Sequence, residues 1–145
     1  MTVRAPAPLM TRHLELVPAT AALAHLHVAD RPAFFAALDV AAPDDWPPEL
    51  NEEETLVWTR DRLDEDPDAA GWWAWYWLQK RTHDHPRALI GIGGFKGRPD
   101  DRGVVEIGYS LLAPWRGHGF ATEAVTALVA WAARRPGVRI VAAET

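Results

Sequence analysis

Apolar residues change their spacing along the chain, and each change marks an element. "RHLELVP" alternates Leu14 and Leu16 with polar neighbours until Pro18, which predicts a first strand. "TAALAHLHVA" and "RPAFFAALDV" read as two short helices, the second capped by Asp30 with Pro32 near its first turn. "APDDWPPELN" is a proline-rich loop. Asn51 is the expected cap of a third helix, "EEETLVWTRDRLDED", whose Glu52, Glu53 and Glu54 sit at the positive end of the helix dipole. Leu56, Thr59 and Leu63 mark its inner face, and Pro67 ends it.

From Gly71 the spacing is that of strands. "WWAWYWLQ" puts aromatic residues on both alternating faces, as suits a central strand covered on both sides. "ALIGIGGFKG" and "VVEIGYSLL" complete an antiparallel meander, separated by the turns "HDHP" and "RPDDRG". A helix is expected from about Gly119 to Arg135, with Ala121, Ala124, Val125, Leu128 and Ala132 on one face. "VRIVAAET" is a final strand. Strands and helices in this order predict an α/β sandwich whose last strand lies parallel to the strand before the helix, through a right-handed crossover. Residues 1–10, with Pro6 and Pro8, read as a flexible arm, and residues 11–145 as one domain.

Composition narrows the function. The 145 residues suffice for one domain, with 48% hydrophobic and 24% charged residues. The absence of cysteine removes disulfides, zinc–thiolate sites and a thiol nucleophile, and fits a cytoplasmic protein. A net charge of −5 gives no general pull toward nucleic acid or anionic membranes. No apolar run is long enough to span a bilayer.

The stretch "APWRGHGFATEA" carries the most chemistry. Gly117 and Gly119 lack a Cβ, so a ligand can lie against the backbone where the next helix leaves its first N–H groups unpaired. Helix-start donors plus the dipole suit phosphate, and Arg116 adds a charge at the rim. The alternative is a tight turn whose glycines only relieve strain. No Gly-x-x-x-x-Gly-Lys-Ser/Thr run exists, and in "GIGGFKG" Lys96 occupies the place of a dinucleotide motif's third glycine.

"RGHGFA" matches Arg/Gln-x-x-Gly-x-Gly/Ala and thereby resembles the pyrophosphate signature of the GCN5-related N-acetyltransferase (GNAT) superfamily. "VEIGYSLLAPWRGHGFATEAVTALVAWA", "TRHLELVP", "LIGIGGFKG" and "AAET" resemble its RimJ/RimL-type branch. The resemblance implies a mixed sheet, with an antiparallel meander and a splayed strand pair, flanked by helices. It implies acetyl-CoA as cosubstrate, with no metal. Backbone groups of Ser110, Leu111 and Leu112 would pair with the pantetheine arm. Arg116 and the segment Gly117, His118, Gly119, Phe120, Ala121 and Thr122 would hold the pyrophosphate. The Leu112 N–H is the expected oxyanion donor. His118 is either a phosphate or adenine contact or an exposed loop residue.

Acetyl transfer to an amine needs a base, more so for a lysine with pKa near ~10 than for an α-amino group near ~8. Glu106, on the strand leading into the cofactor site, is the first candidate, and a salt-bridge partner otherwise. Glu144, on the adjacent strand, is the second, and is equally readable as structural. Trp46, between helices that often cover the acceptor, is the expected pocket wall. His83 and His85 read as a solvated turn, the tryptophan run as core, and the acidic residues from Asp44 to Asp68 as a lure for cationic acceptors or a solvated face. The resemblance also implies a further helix and strands absent from this chain after Thr145, so the domain is expected to be truncated and "VRIVAA" to offer an edge to a second copy. The function expected is an N-acetyltransferase acting on a primary amine, a protein N-terminus or a small molecule. The alternative is a non-catalytic acyl-CoA-binding or sensing module.

Overall fold

The computed structural model describes residues 5–143. Strands β1 (Leu9–Met10) and β2 (Leu14–Pro18) lead into helices α1 (Ala21–Ala29), α2 (Arg31–Ala37) and α3 (Glu53–Glu65). Then follow β3 (Ala74–Gln79), β4 (Ala88–Phe95), β5 (Val104–Leu111), helix α4 (Phe120–Ala133) and β6 (Ile140–Ala143). The strands form one six-stranded mixed sheet in sequence order. Neighbours are antiparallel except β5 and β6, which run parallel across α4 as the order of elements predicts. One boundary is corrected: Leu9 and Met10, expected in the arm, pair with Leu16 and Glu15 because Leu9 has an apolar cluster to join.

β3 accounts for the aromatic run. Alternation sends Trp75 and Trp77 to one face, where α4 supplies Ala124, Leu128 and Trp131. Tyr76 and Leu78 go to the other, against Phe34 and Phe35 of α2 and Leu63 of α3. Both faces are therefore cores, which is why the strand shows no polar alternation. Trp131 locks α4 down, its ring lying 4.8 Å from Trp72 and 5.3 Å from Trp75.

Helix starts follow local chemistry. Asp30 Oδ1 accepts from Ala33 N–H at 3.2 Å and caps α2 as expected. α3 differs: Glu52 is its N-cap, without a side-chain bond, and the Asn51 amide instead donates to the Pro48 and Glu49 carbonyls at 3.2 and 2.9 Å. The proline-rich loop leaves carbonyls needing donors, and the Asn51 amide closes that loop rather than capping the helix.

Candidate functional site

After β5 a short turn over Ala113–Trp115 leads through Arg116 to Gly119 and into α4. Gly117 (φ 79°) and Gly119 (φ 82°) are left-handed, a conformation that only glycine adopts freely. A Cβ on either would meet no protein atom within 4 Å, so packing does not demand the glycines and the space beside them is open. The first bond of α4 runs from Glu123 N–H to Gly119 O at 3.1 Å, and Gly119 offers no side-chain cap. Among the described residues, the amides of Gly117, His118, Gly119, Phe120, Ala121 and Thr122 find no acceptor. That leaves a fan of donors at the positive end of a helix of 14 residues. The Phe120 ring lies 6.0 Å from Trp115 and 6.1 Å from the exposed His118.

The neighbouring strand supplies a second set of backbone groups. Lys96 N–H donates to Glu106 O and Leu112 N–H to Ile90 O, at 3.2 and 2.9 Å. By the two-residue alternation of an antiparallel ladder, the backbone groups of Glu106, Gly108, Ser110 and Leu112 therefore face β4. Those of Tyr109 and Leu111 face the opposite edge, where the β6 ladder reaches only Ile107↔Ala143 among the described residues. This corrects the expected pairing. Ser110 and Leu112 have their backbones committed to the sheet, and the Leu112 N–H is no free oxyanion donor. Arg116 Nε donates to Leu111 O at 3.1 Å, tying the arginine across the end of β5.

A cleft of about 380 Å³ opens between α3 and the sheet. Thr55, Trp58 and Thr59 of α3 form one wall, and small residues of the sheet, Ala74, Gly94, Gly108 and Ser110, form the floor. Glu106 points to the same face as Gly108 and Ser110, half exposed, and its carboxylate pairs with Lys96 Nζ at 3.2 Å at the cleft's rim. Glu144 lies outside the described residues. Trp46 is corrected: it is 9% exposed within the core of the α1–α3 face, not a wall of the cleft. Its Nε1 donates to His27 Nε2 at 2.9 Å. His27 lines a smaller chamber that shares Thr55, Thr59 and Ile92 with the cleft, together with Tyr76. Burial, then the Arg31 guanidinium, push the His27 pKa down to about 4, and burial pushes the Tyr76 hydroxyl up. Both are neutral neighbours of the cleft at ordinary pH.

One further residue has no signal in the sequence. Glu123, in the first turn of α4, accepts from Thr11 Oγ1 at 2.5 Å and from His13 N–H at 2.8 Å, and bonds His13 Nδ1 at 2.7 Å. Burial raises its pKa, but these hydrogen bonds and the His13 ring outweigh burial and hold the carboxyl below its ordinary range. The partners lie 110 or more positions apart, beyond any periodicity. This first-turn carboxylate is thereby occupied by the loop before β2. His83 and His85 are exposed, and no cluster of three or more His, Cys, Asp or Glu suited to a metal occurs among the described residues. No helix among them is long and apolar enough to cross a membrane.

A βαβ end with a helix start opening beside a strand edge that has no ladder partner beyond Ile107 among the described residues defines a class of fold, and known proteins share it. The chain belongs to the acetyltransferase (GNAT) domain family, whose model matches residues 20–145. It is 29% identical over 91 residues to the uncharacterized N-acetyltransferase YjdG of Bacillus subtilis (strain 168), covering 63% of this chain. The match takes in 52% of that protein, so the chain spans about half the length of the curated relative it matches. The fold resembles that of RimL, a ribosomal L7/L12 alpha-N-protein acetyltransferase solved in complex with coenzyme A. That likeness has a TM-score of 0.53 and 19% identity, covering 92% of this chain and 71% of that one. A putative GNAT-family acetyltransferase from Bordetella pertussis gives a TM-score of 0.58 at 20% identity, covering 95% and 78%.

Proposed function

We propose that the chain is an acetyl-CoA-dependent N-acetyltransferase acting on a primary amine. The observation that carries this is the uncapped start of α4, opening from two left-handed glycines beside a β5 edge where Tyr109 and Leu111 have no ladder partner among the described residues. In this reading the amides from Gly117 to Thr122 hold the pyrophosphate, with Arg116 at the rim and His118 alongside. The Tyr109 N–H and C=O and the Leu111 N–H pair with the pantetheine amides as a further strand would. The thioester then lies along β5 near Gly108 and Ser110, and the acceptor enters the cleft under α3. Glu106 takes the proton as the amine nitrogen forms the C–N bond to the thioester carbonyl. The C–S bond breaks, and the thiolate takes its proton from water. An α-amino group is the favoured acceptor, because it needs less help to lose its proton and because the RimL relative is named for acting on one.

The test joins calorimetry with CoA to thiol release from acetyl-CoA across a panel of amines. CoA should bind, pantetheine should bind at least about tenfold more weakly for want of phosphates, and release should depend on the amine. Glu106→Gln should lower turnover by about a hundredfold, most at low pH where the amine is protonated, while CoA affinity stays the same. CoA binding without amine-dependent release at any pH refutes the transfer, and no heat with CoA removes the phosphate cradle.

A further inference from the structure

We infer that the cleft between α3 and the sheet selects an acceptor amine carried close to an aromatic ring, and that Trp58 is the residue that selects it. This rests on the acetyltransferase reading of the same site and adds the chemistry of the acceptor.

Charge argues against a polycationic acceptor in the cleft itself. The chain is acidic overall, yet no carboxylate lines the cleft among the described residues. Glu52, Glu53 and Glu54 are exposed and none of them lines it. The polar lining is neutral, with Asn51, Thr55, Thr59 and Ser110, and among the described residues the one charged lining residue is Lys96, which pairs with Glu106. The acidic face of α3 is thus separate from the cleft.

Shape and apolar surface argue for a flat ring. Trp58 is 48% exposed and Leu50 is 77% exposed, both lining this cleft. Leu50 has φ 69°, a left-handed backbone that non-glycine residues rarely adopt, and it offers its apolar side chain to solvent. Neither exposure is explained by the fold's own packing. The Trp58 ring is also held in place. Trp73 meets it edge-on at 5.1 Å and 86°, the Arg62 guanidinium lies 4.9 Å from its centroid, and Glu65 fixes Arg62 at 2.7 Å. A pre-ordered aromatic wall loses little entropy when a second ring joins it. The same cleft is lined by Gly108, in ordinary strand conformation, where a Cβ would meet nothing within 4 Å. A strand glycine required by neither backbone nor packing leaves a bare floor beneath the wall. Wall and floor form a slot for a planar group.

Two sources fit this chemistry: a free arylalkylamine, and the α-amino end of a chain that begins with an aromatic residue. The experiment compares kcat/KM for phenethylamine, n-butylamine and spermidine, and for peptide amides beginning Phe-Ala-Ala or Ala-Ala-Ala, in the wild type, Trp58→Ala and Trp58→Phe. Binding of phenethylamine at saturating CoA is read separately by calorimetry. The ring-bearing member of at least one pair should be preferred by about tenfold, with that ratio falling toward unity in Trp58→Ala and returning in Trp58→Phe. Preference in the free amines alone assigns the small-molecule source, and preference in the peptides alone or in both pairs assigns the chain terminus. Equal kcat/KM within both pairs, spermidine as the best acceptor, or a preference that survives Trp58→Ala overturns the inference. Transfer without ring preference sinks this inference alone. Ring binding that Trp58→Ala abolishes, with no transfer to any amine, sinks the acetyltransferase reading alone.

Discussion

His27 and Glu123 sit on opposite faces of the sheet, and pH separates what they contribute. His27 is buried, neutral and bonded by Trp46, with a pKa lowered from 6.5 to about 4. The unfolded chain binds a proton that the folded one refuses, so stability present above pH 6.5 declines as pH falls toward 4, by on the order of 3 kcal/mol. Glu123 is a carboxyl held below its ordinary 4.5, so its contribution is present above that value and is lost only as pH falls through the lower, folded one. Urea unfolding at pH 7, 5 and 3 should therefore resolve two windows. His27→Gln, which keeps an acceptor for Trp46, should flatten the decline between pH 7 and 5. Glu123→Gln should change it only between pH 5 and 3. A Glu123→Gln protein that already differs in slope above pH 5 would show that the Thr11–His13 latch does not set its ionisation.

At the scale of elements, α4 carries both a core and the candidate phosphate site, at opposite ends. Trp131 buries its ring among Trp72, Trp75 and Phe95, and Trp131→Ala should cost about 3–5 kcal/mol by chemical denaturation. A loss below ~1 kcal/mol would mean that α4 is held elsewhere. The inner face of α4 was legible in the chain through Ala124, Leu128 and Ala132, because periodicity reports which face of an element is apolar, although that reading did not include Trp131; β3 reads the same way from its aromatic residues on alternate positions. Contacts that depend on where a loop delivers a side chain were not. Trp46 sits among prolines as an exposed residue would, but the fold turns it into the core to meet His27. Asn51 has the composition of a helix cap but serves the carbonyls of Pro48 and Glu49 instead. The glycine motif located the donor fan. Strand register, which no motif encodes, decided that Tyr109 and Leu111 rather than Ser110 and Leu112 face away from β4.

For the whole molecule, the sheet is the shared wall: α4 with its donor fan closes one face, and the α3 cleft opens on the other, with β5 between them. A ligand that runs from the fan along β5 touches elements distant in sequence and binds only when all are assembled. Folding and binding are then linked. At a hundredfold excess over its Kd, CoA should add about 2.7 kcal/mol of stability, a rise in Tm of roughly 5–10 °C for a domain of this size. Gly119→Ala separates the source of that gain. Its Cβ strains a left-handed backbone, so the free protein should melt lower by an amount worth about 1–2 kcal/mol. The same Cβ clashes with nothing in the protein, so any further loss in the CoA-induced rise belongs to the approach of ligand to backbone. A smaller rise in Gly119→Ala than in the wild type, with pantetheine raising neither, is the outcome a backbone phosphate cradle requires. Equal rises in the two proteins would move the phosphates off the start of α4.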